Sequence, residues 1–164
     1  MRGMEIERKF LMCGFPELPE TGRAEMRQGY LCTSPVVRIR SKRQAGRETY
    51  RLCFKGEGTL VRRETELELT EEQFRELEKL LPAPMIRKER RLYRLPDGHT
   101  LECSRVDGGE PSEFFYAEVE FRTEEEAAAF LPPSFLGREV TEEPGWTMAA
   151  YWEKKKNGLD GSKT

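Results

Sequence analysis

The sequence contains a single histidine, His99, and its four cysteines show no C-x-x-C spacing. A metal site built from several histidines or paired cysteines is therefore excluded, and a Ser-His or Cys-His nucleophile is disfavoured. His99 follows a predicted glycine turn, so we expect it to be an exposed loop residue. We expect the cysteines to be reduced, buried and apolar in character, which is typical of a cytoplasmic protein. They are Cys13, Cys32, Cys53 and Cys103.

Long apolar segments are also lacking. No run approaches the roughly 18 to 20 residues that a membrane-spanning helix needs, so the sequence predicts no membrane insertion. The 28 basic and 30 acidic side chains leave a net charge of -2, which gives no overall attraction to nucleic acid. A basic run from Arg87 to Arg94 is the exception, but strand alternation would turn half of its side chains inward. We therefore predict neither a nucleic acid nor a membrane partner.

The length of 164 residues, with 37% hydrophobic residues, predicts one domain with one core. We place this domain at residues 1–156 and expect a disordered tail at 157–164.

Apolar and polar residues alternate with a period of two along most of the chain, which predicts a mainly β (α+β) fold of about eight antiparallel strands. The predicted strands are 5–12, 25–32, 36–42, 49–55, 61–69, 85–95, 100–105 and 115–122. Three helices are expected to pack outside the sheet. The first begins at a capping box at Thr70 and places Phe74, Leu77, Leu80 and Leu81 on one face before Pro82. The second begins at Thr123, and the third spans 147–156.

Charged side chains recur at every second position of six strands, so each of these strands has one charged face. The basic positions are Arg38, Arg40, Lys55, Lys88 and Arg90, and the acidic ones are Glu5, Glu7, Glu118 and Glu120. Lys9 extends the first row, and another strand carries Arg62, Glu64, Glu66 and Glu68. One interpretation is the wet face of an open sheet. Because the signs are separated by strand, we favour a closed eight-stranded barrel with a basic and an acidic inner wall.

Unpaired charges inside a barrel are costly, so such walls need ligands. Clustered carboxylates suit Mg²⁺ or Mn²⁺, and Mg²⁺ usually lies between carboxylates and substrate phosphates. Clustered Arg and Lys side chains suit phosphate oxygens. The sequence therefore predicts a site for a polyphosphate anion accompanied by a divalent metal.

The motif E-x-E-x-K at Glu5, Glu7 and Lys9 resembles the signature of the CYTH domain, or triphosphate tunnel metalloenzyme, family. Further motifs follow in the order of the bacterial short form, and together they span nearly the whole domain. They are QGYL at 28–31, VRIR at 37–40, FKG at 54–56, R-x-E-x-E at 62–66, K-x-R at 88–90, AEVEF at 117–121 and GREVT at 137–141.

The resemblance implies an eight-stranded tunnel that binds a triphosphate with Mg²⁺ or Mn²⁺. It implies that metal is held by Glu5, Glu7 and Glu118 or Glu120, with Glu64 and Glu66 as further candidates. It implies phosphate binding by Lys9, Arg38, Arg40, Lys55, Arg62, Lys88 and Arg90. The short form resembles the tripolyphosphatases most, so inorganic tripolyphosphate is the expected substrate, with ATP or thiamine triphosphate as further candidates.

Two functions other than hydrolysis stay open, namely ATP cyclisation of the class IV adenylyl cyclase type and non-catalytic polyphosphate or nucleotide binding. For hydrolysis, a group must orient the attacking water, and either a carboxylate or a lysine whose pKa is lowered by neighbouring cations would suit this role. Lys9 and Lys55 are the candidates, and Tyr30 is a weaker one that would more often be structural. A homodimer is also left open.

The chain departs from the family pattern at two places. Ser104 stands where the family usually has Asp, which removes one acidic ligand and puts a second metal in doubt. Trp146 and Met148 stand where the family tends to have Tyr and Asn, so the last helix is expected to be anchored differently.

Overall fold

The computed structural model describes residues 3–161, and their side chains as far as residue 158. The described residues form a closed antiparallel barrel of eight strands in the order β1-β5-β4-β3-β2-β6-β7-β8. The strands are β1 (Met4–Met12), β2 (Glu20–Thr33), β3 (Val36–Gln44), β4 (Arg47–Lys55), β5 (Val61–Leu69), β6 (Ile86–Arg94), β7 (Thr100–Val106) and β8 (Phe114–Glu120). The predicted fold class and strand number are confirmed. The largest difference is at β2, which begins five residues before its predicted start.

Closure of the barrel depends on β1, which changes partner along its length. Met4–Ile6 pair with β5, whereas Glu7–Met12 pair with β8. Beyond Glu7, the edge of β1 that faces away from β8 is covered by residues 137–141, which we call the C-terminal strap. Leu11 N–H donates to Arg138 O at 2.9 Å, and Val140 N–H donates to Lys9 O at 2.8 Å. Gly137 approaches so closely that a Cβ there would lie 2.2 Å from Leu11 O.

The apolar faces of the strands point outward, as the alternation predicts. Helix α2 (Glu124–Ala129) and the segment after it cover one outer cluster. Its buried members are Phe10, Tyr93, Leu95, Leu101, Cys103, Ala117, Val119, Phe121, Ala127, Phe130 and Leu136. The outer face of β4 and β5 is only partly covered, since Phe54 is 39% and Leu67 51% exposed.

A second apolar cluster joins the barrel to helix α3 (Met148–Gly161). It consists of Tyr30, Val36, Ile86, Val106, Tyr116, Met148 and Trp152. A short 3-10 helix, Pro144–Trp146, leads from the strap into α3. The Trp152 side chain is 1% exposed and packs against Tyr30 with 5.9 Å between ring centroids. α3 is thereby fixed at one end of the barrel.

Helix α1 (Glu71–Glu78) has the predicted capping box, in which Thr70 and Gln73 exchange hydrogen bonds. Only Phe74 of its predicted apolar face is fully buried, and Leu80, which lies beyond the end of the helix, is 68% exposed. The predicted apolar face is therefore wrong at Leu80. α3 extends to Gly161 and so includes part of the expected disordered tail, whereas residues 162–164 lie outside the described residues.

Two expectations about the scarce residues are wrong. Cys13 and Cys32 are exposed, although Cys53 and Cys103 are buried as expected. His99 lies in a loop as expected, but its side chain is only 19% exposed, because its ring nitrogens contact Asp97 at 2.8 Å and Glu126 at 2.6 Å. It therefore links the β6–β7 turn to α2.

Candidate functional site

A cavity of about 170 Å³ runs inside the barrel, and its lining is mostly charged. Every side chain predicted for the site contributes to it. The basic ones are Lys9, Arg38, Arg40, Lys55, Arg62, Lys88 and Arg90, the acidic ones are Glu5, Glu7, Glu64, Glu66, Glu118 and Glu120, and Tyr30 completes the set. The open-sheet interpretation is wrong, because the charged faces of the strands are enclosed by the barrel.

Three carboxylates converge on one side of the cavity. Ligand oxygens of Glu5, Glu7 and Glu120 lie within 4.8 Å of one another. Barrel closure produces this cluster by setting β1 beside β8, with Glu7 opposite Glu120 and Lys9 opposite Glu118. Burial, followed by repulsion from Glu118, raises the pKa of Glu7 well above its usual value. Burial and nearby carboxylates also raise the pKa of Glu120 to about 7.

This cluster fits a hard divalent cation. It offers carboxylate oxygens only, which is the donor set that Mg²⁺ and Mn²⁺ prefer. The raised pKa values of Glu7 and Glu120 reflect negative charges crowded together in a buried place, and a cation between them would relieve this crowding.

The carboxylates of Glu64 and Glu66 group with the thiol of Cys53. Glu64 also adjoins the first cluster, because burial and a hydrogen bond with Glu5 raise the pKa of Glu64 to about 7. Glu66 is 3.8 Å from Arg40. Glu64 is 3.4 Å from Lys55. These pairs balance the basic side chains of β3 and β4. Glu68, the last member of this row, is 84% exposed at its side chain and does not line the cavity.

Glu118 is placed differently from the other acidic residues. Although burial opposes ionisation, its hydrogen bond with Glu7 and the cations Lys9, Lys88 and Arg90 hold its pKa below the usual value. Glu118 is therefore a buried anion that balances the lysines.

The basic wall contains donors that have no protein partner. Arg38 is 7% exposed, and its buried Nε finds no hydrogen-bond acceptor among the described residues. The buried Nε of Arg90 also lacks an acceptor among the described residues, and a terminal nitrogen of Arg90 lies 3.9 Å from Glu102. Buried donors are nearly always satisfied, and these two lie where a ligand in the cavity could supply the acceptor. The buried Nε atoms of Arg91 and Arg105 also lack an acceptor among the described residues, but they lie outside the cavity. Burial and repulsion from Arg38 and Arg90 lower the pKa of Arg40 to about 10.

The two lysines proposed as water-orienting groups differ. Burial, together with Lys55 and Arg62, lowers the pKa of Lys9, although Glu118 and Glu7 oppose the shift. Burial and Arg38 act in the same direction at Lys55, but the nearby carboxylates raise its pKa overall. The expected lowered pKa is therefore wrong for Lys55, whose Nζ lies 3.0 Å from Glu5.

Lys9 also contacts the segment that follows the strap. Its Nζ donates to Trp146 O at 2.6 Å and lies 4.3 Å from the centre of the Tyr116 ring. Tyr30 is 4% exposed, and its hydroxyl accepts a hydrogen bond from Gln28 at 3.2 Å. Tyr30 thus has the packing role that tyrosines in strands commonly have.

The sequence reasoning missed several lining residues. Glu102 and Tyr116 also face the cavity, and the Tyr116 hydroxyl accepts a hydrogen bond from Lys88 at 2.7 Å. Burial, followed by repulsion from Arg90, lowers the pKa of Lys88 well below its usual value, so Lys88 is a further candidate proton acceptor. Strand alternation signalled both Glu102 and Tyr116. No period signalled the lining residues near the C-terminus, which are Val140, Thr141, Glu143, Trp146, Thr147, Met148 and Ala149.

The departures from the family pattern also lie here. Ser104 is 1% exposed and stands opposite Arg90 and Tyr116 in the sheet, so no carboxylate occupies this inner position. Trp146 offers its backbone carbonyl to Lys9, and Met148 is buried in the cluster beneath α3.

A closed barrel with carboxylates on one inner wall and buried guanidinium donors on another defines a class of proteins built to hold an anion and a cation together. The CYTH domain family matches residues 3–135, and the chain belongs to that family. It is 41% identical to an inorganic triphosphatase of Nitrosomonas europaea over 140 residues, which cover 85% of this chain and 90% of that protein.

Solved structures agree with this assignment. A crystal structure of an inorganic triphosphatase is 33% identical, with a TM-score of 0.62, over 90% of this chain and 93% of the other. A protein from Pyrococcus horikoshii OT3 has a TM-score of 0.63 at 20% identity, over 94% and 99% of the two chains, and shows the shared fold. Within the described residues, no helix combines the length and apolar character required to cross a membrane.

Proposed function

We propose that this protein is a metal-dependent triphosphatase that hydrolyses inorganic tripolyphosphate inside its barrel. The observation that carries the proposal is the pair of opposed walls, with unpartnered donors of Arg38 and Arg90 on one side and the carboxylates of Glu5, Glu7 and Glu120 on the other. The inorganic triphosphatase from N. europaea, which matches over most of both chains, supports hydrolysis over ATP cyclisation.

In this proposal the basic side chains bind the phosphate oxygens. Arg38, Arg40 and Arg90 offer planar forks that suit phosphate, while Lys55 and Lys88 act as point charges. Arg62 lines the same cavity, and its Nε already donates to Gly56 O at 3.2 Å. These groups hold the triphosphate in a fixed position, and positioning together with charge stabilisation provides most of the catalysis in phosphoryl transfer.

Glu5, Glu7 and Glu120 would hold Mg²⁺ or Mn²⁺, with Glu118 close to Glu7. Once bound, such an ion supplies Lewis-acid stabilisation of the charge on the phosphate oxygens. Glu64 and Glu66 would instead neutralise the basic wall, since they already pair with Lys55 and Arg40.

Lys9 is the group that we assign to orienting the attacking water. Its buried ammonium has a lowered pKa and is held in place by Trp146 O and the Tyr116 ring. Lys9 can therefore lose a proton more easily than an exposed lysine can. Lys55 is less suited to this role because its neighbours stabilise its charged form. Tyr30 is better suited to hold the wall in place.

The test is release of phosphate from tripolyphosphate by the purified protein with Mg²⁺ or Mn²⁺. Glu7→Gln should abolish release while the circular dichroism spectrum and melting temperature show an intact fold. ATP and thiamine triphosphate serve as comparison substrates. Formation of cyclic AMP from ATP would instead support a cyclase, and tight binding of tripolyphosphate without turnover would support a non-catalytic binding protein.

The proposal includes a cytoplasmic location, which the free state of all four cysteines supports within the described residues. A homodimer stays a prediction, and light scattering on the purified protein would test it.

A further inference from the structure

The N-terminal end of α3 faces the charged cavity. Thr147, Met148 and Ala149 all line it. The first N–H groups of an α-helix have no partner within the helix. The N–H of Ala150 is satisfied, because it donates to Thr147 Oγ1 at 3.1 Å. Among the described residues, the N–H groups of Met148 and Ala149 have no acceptor, so they are the donors that the first turn of α3 leaves for a ligand.

The charge around this helix end also favours an anion. The first turn of α3 contains no acidic residue, whereas α1 and α2 carry two and three glutamates in theirs. The positive end of the α3 dipole is therefore not balanced by the helix itself. Lys9 approaches to 2.6 Å from Trp146 O, just before the helix. Glu143 also lines the cavity, but Arg138 engages it at 2.6 Å.

A separate observation points to a ligand at this place. Arg38 lines the same cavity, is 7% exposed, and has a buried Nε without an acceptor among the described residues. Tyr30, which stands opposite Arg38 in the sheet, packs against Trp152 of α3. The unpartnered Nε of Arg38 and the first turn of α3 thus line the same cavity.

We propose that the N-terminus of α3 is a phosphate subsite, in which the N–H groups of Met148 and Ala149 bind a terminal phosphoryl group of the triphosphate. This inference rests on the proposed function, because it assigns one end of the same substrate. A terminal phosphoryl group has three non-bridging oxygens and more negative charge than an internal one. It therefore matches a cavity lined by both the N-terminus of a helix and a buried arginine.

The first test removes one backbone donor. Ala149 is the second residue of α3, where the backbone N–H has no partner within the helix, so Ala149→Pro deletes this N–H without breaking a hydrogen bond of α3. Ala149→Gly is the matched control, because it changes the same side chain and keeps the N–H. Calorimetry would measure binding of a tripolyphosphate analogue with NH in place of the bridging oxygens, in the presence of Mg²⁺. We expect Ala149→Pro to bind about tenfold more weakly than Ala149→Gly, as for loss of one hydrogen bond to a charged group.

The second test uses the unaltered protein and so does not depend on the folding of a variant. In ¹⁵N-resolved NMR spectra, the amide protons of Met148 and Ala149 should move downfield when the analogue is added. The amide proton of Ala150 should move less, because Thr147 Oγ1 already accepts it. Equal affinity of the two Ala149 variants, or no larger shift at Met148 and Ala149 than at Ala150, would overturn the subsite. Failure of the unaltered protein to bind the analogue would overturn the proposed function instead.

Discussion

Arg8 is an outward-facing charge on β1, among strand faces that are otherwise largely apolar, and we predict that it contributes strongly to stability. Its Nε and one terminal nitrogen bind Glu139 of the strap at 2.9 and 2.7 Å. Its other terminal nitrogen donates to the carbonyls of Ala127 and Phe130, at 2.8 and 3.0 Å. One side chain therefore connects β1, the end of α2 and the strap.

The magnitude follows from these partners. Arg8→Met removes the guanidinium, whose Cζ lies 5.5 Å from the centre of the Phe130 ring, and with it the hydrogen bonds to both carbonyls. Ala127 O keeps a second donor, the N–H of Phe130 at 3.3 Å. At the low end of the range, each lost partner costs about 1 kcal/mol. The pair with Glu139, whose side chain is 36% exposed, adds at most about 1 kcal/mol because water screens it. We therefore expect the free energy of unfolding to fall by about 3 kcal/mol.

Urea denaturation at neutral pH would measure this change, with Arg23→Met as the control. Arg23 makes a similar two-point contact with Glu20, at 2.9 and 2.8 Å, but its side chain is 52% exposed. Its loss should leave the free energy of unfolding nearly unchanged, because water screens this pair. In a double-mutant cycle, Glu139→Gln should remove only the ion-pair share of the Arg8 effect. If Arg8→Met costs no more than Arg23→Met, the assignment of the two carbonyl contacts is refuted.

Three further predictions concern the strap, pH and the basic wall. Gly137→Ala should cost about 1 to 3 kcal/mol in urea denaturation, since the new methyl group would collide with Leu11 O; an unchanged midpoint would contradict the close contact. Hydrogen bonds to its carboxylate partners raise the pKa of His99, so its contribution is present below its unfolded pKa of about 6.5 and is lost as pH rises through the folded value. His99→Gln should therefore destabilise the protein more at about pH 5.5 than at about pH 8.5, and the opposite order would contradict a charged imidazole. Lys88→Met should raise the thermal midpoint of the ligand-free protein by removing a buried charge, while kcat/KM for tripolyphosphate falls about 100-fold; an unchanged kcat/KM would exclude Lys88 from the site.

The inward direction of the charged rows could be predicted because it depends only on the period of a strand. Arg38 and Arg40 are two residues apart, so whichever face holds one also holds the other. The pKa of Lys55 could not be predicted in the same way. Glu5 is fifty positions away in the sequence, and it meets Lys55 only because β1 pairs with β5 and β5 with β4. Pairing between strands sets neighbours, and no local pattern contains that information.

The C-terminal strap escaped prediction for a different reason. It is not a strand and makes one isolated β-bridge, between Phe10 and Glu139. Its sequence therefore has no alternation of apolar and polar residues that would predict its place. Its place is fixed by backbone contacts with β1, including the close approach at Gly137. The GREVT motif marked the segment by resemblance, but only the coordinates show that it brings Val140 and Thr141 into the cavity wall.

The separation of charge in the cavity follows from the order of the strands. The barrel closes by joining the first and last strands, so the carboxylates of β1 and β8 become neighbours although more than 100 residues separate them in sequence. Most of the arginines that line the cavity lie on β3 and β6, which flank β2 on the side of the barrel opposite β1 and β8. Each wall therefore has an excess of one sign of charge, and burial together with like-charge repulsion raises the pKa of Glu7 and lowers the pKa of Lys88. In a bound metal–triphosphate complex, the metal would offset the repulsion among the carboxylates, and the phosphates would offset the repulsion among the cations. The buried charges that destabilise the empty barrel would therefore stabilise the barrel once the ligand is bound.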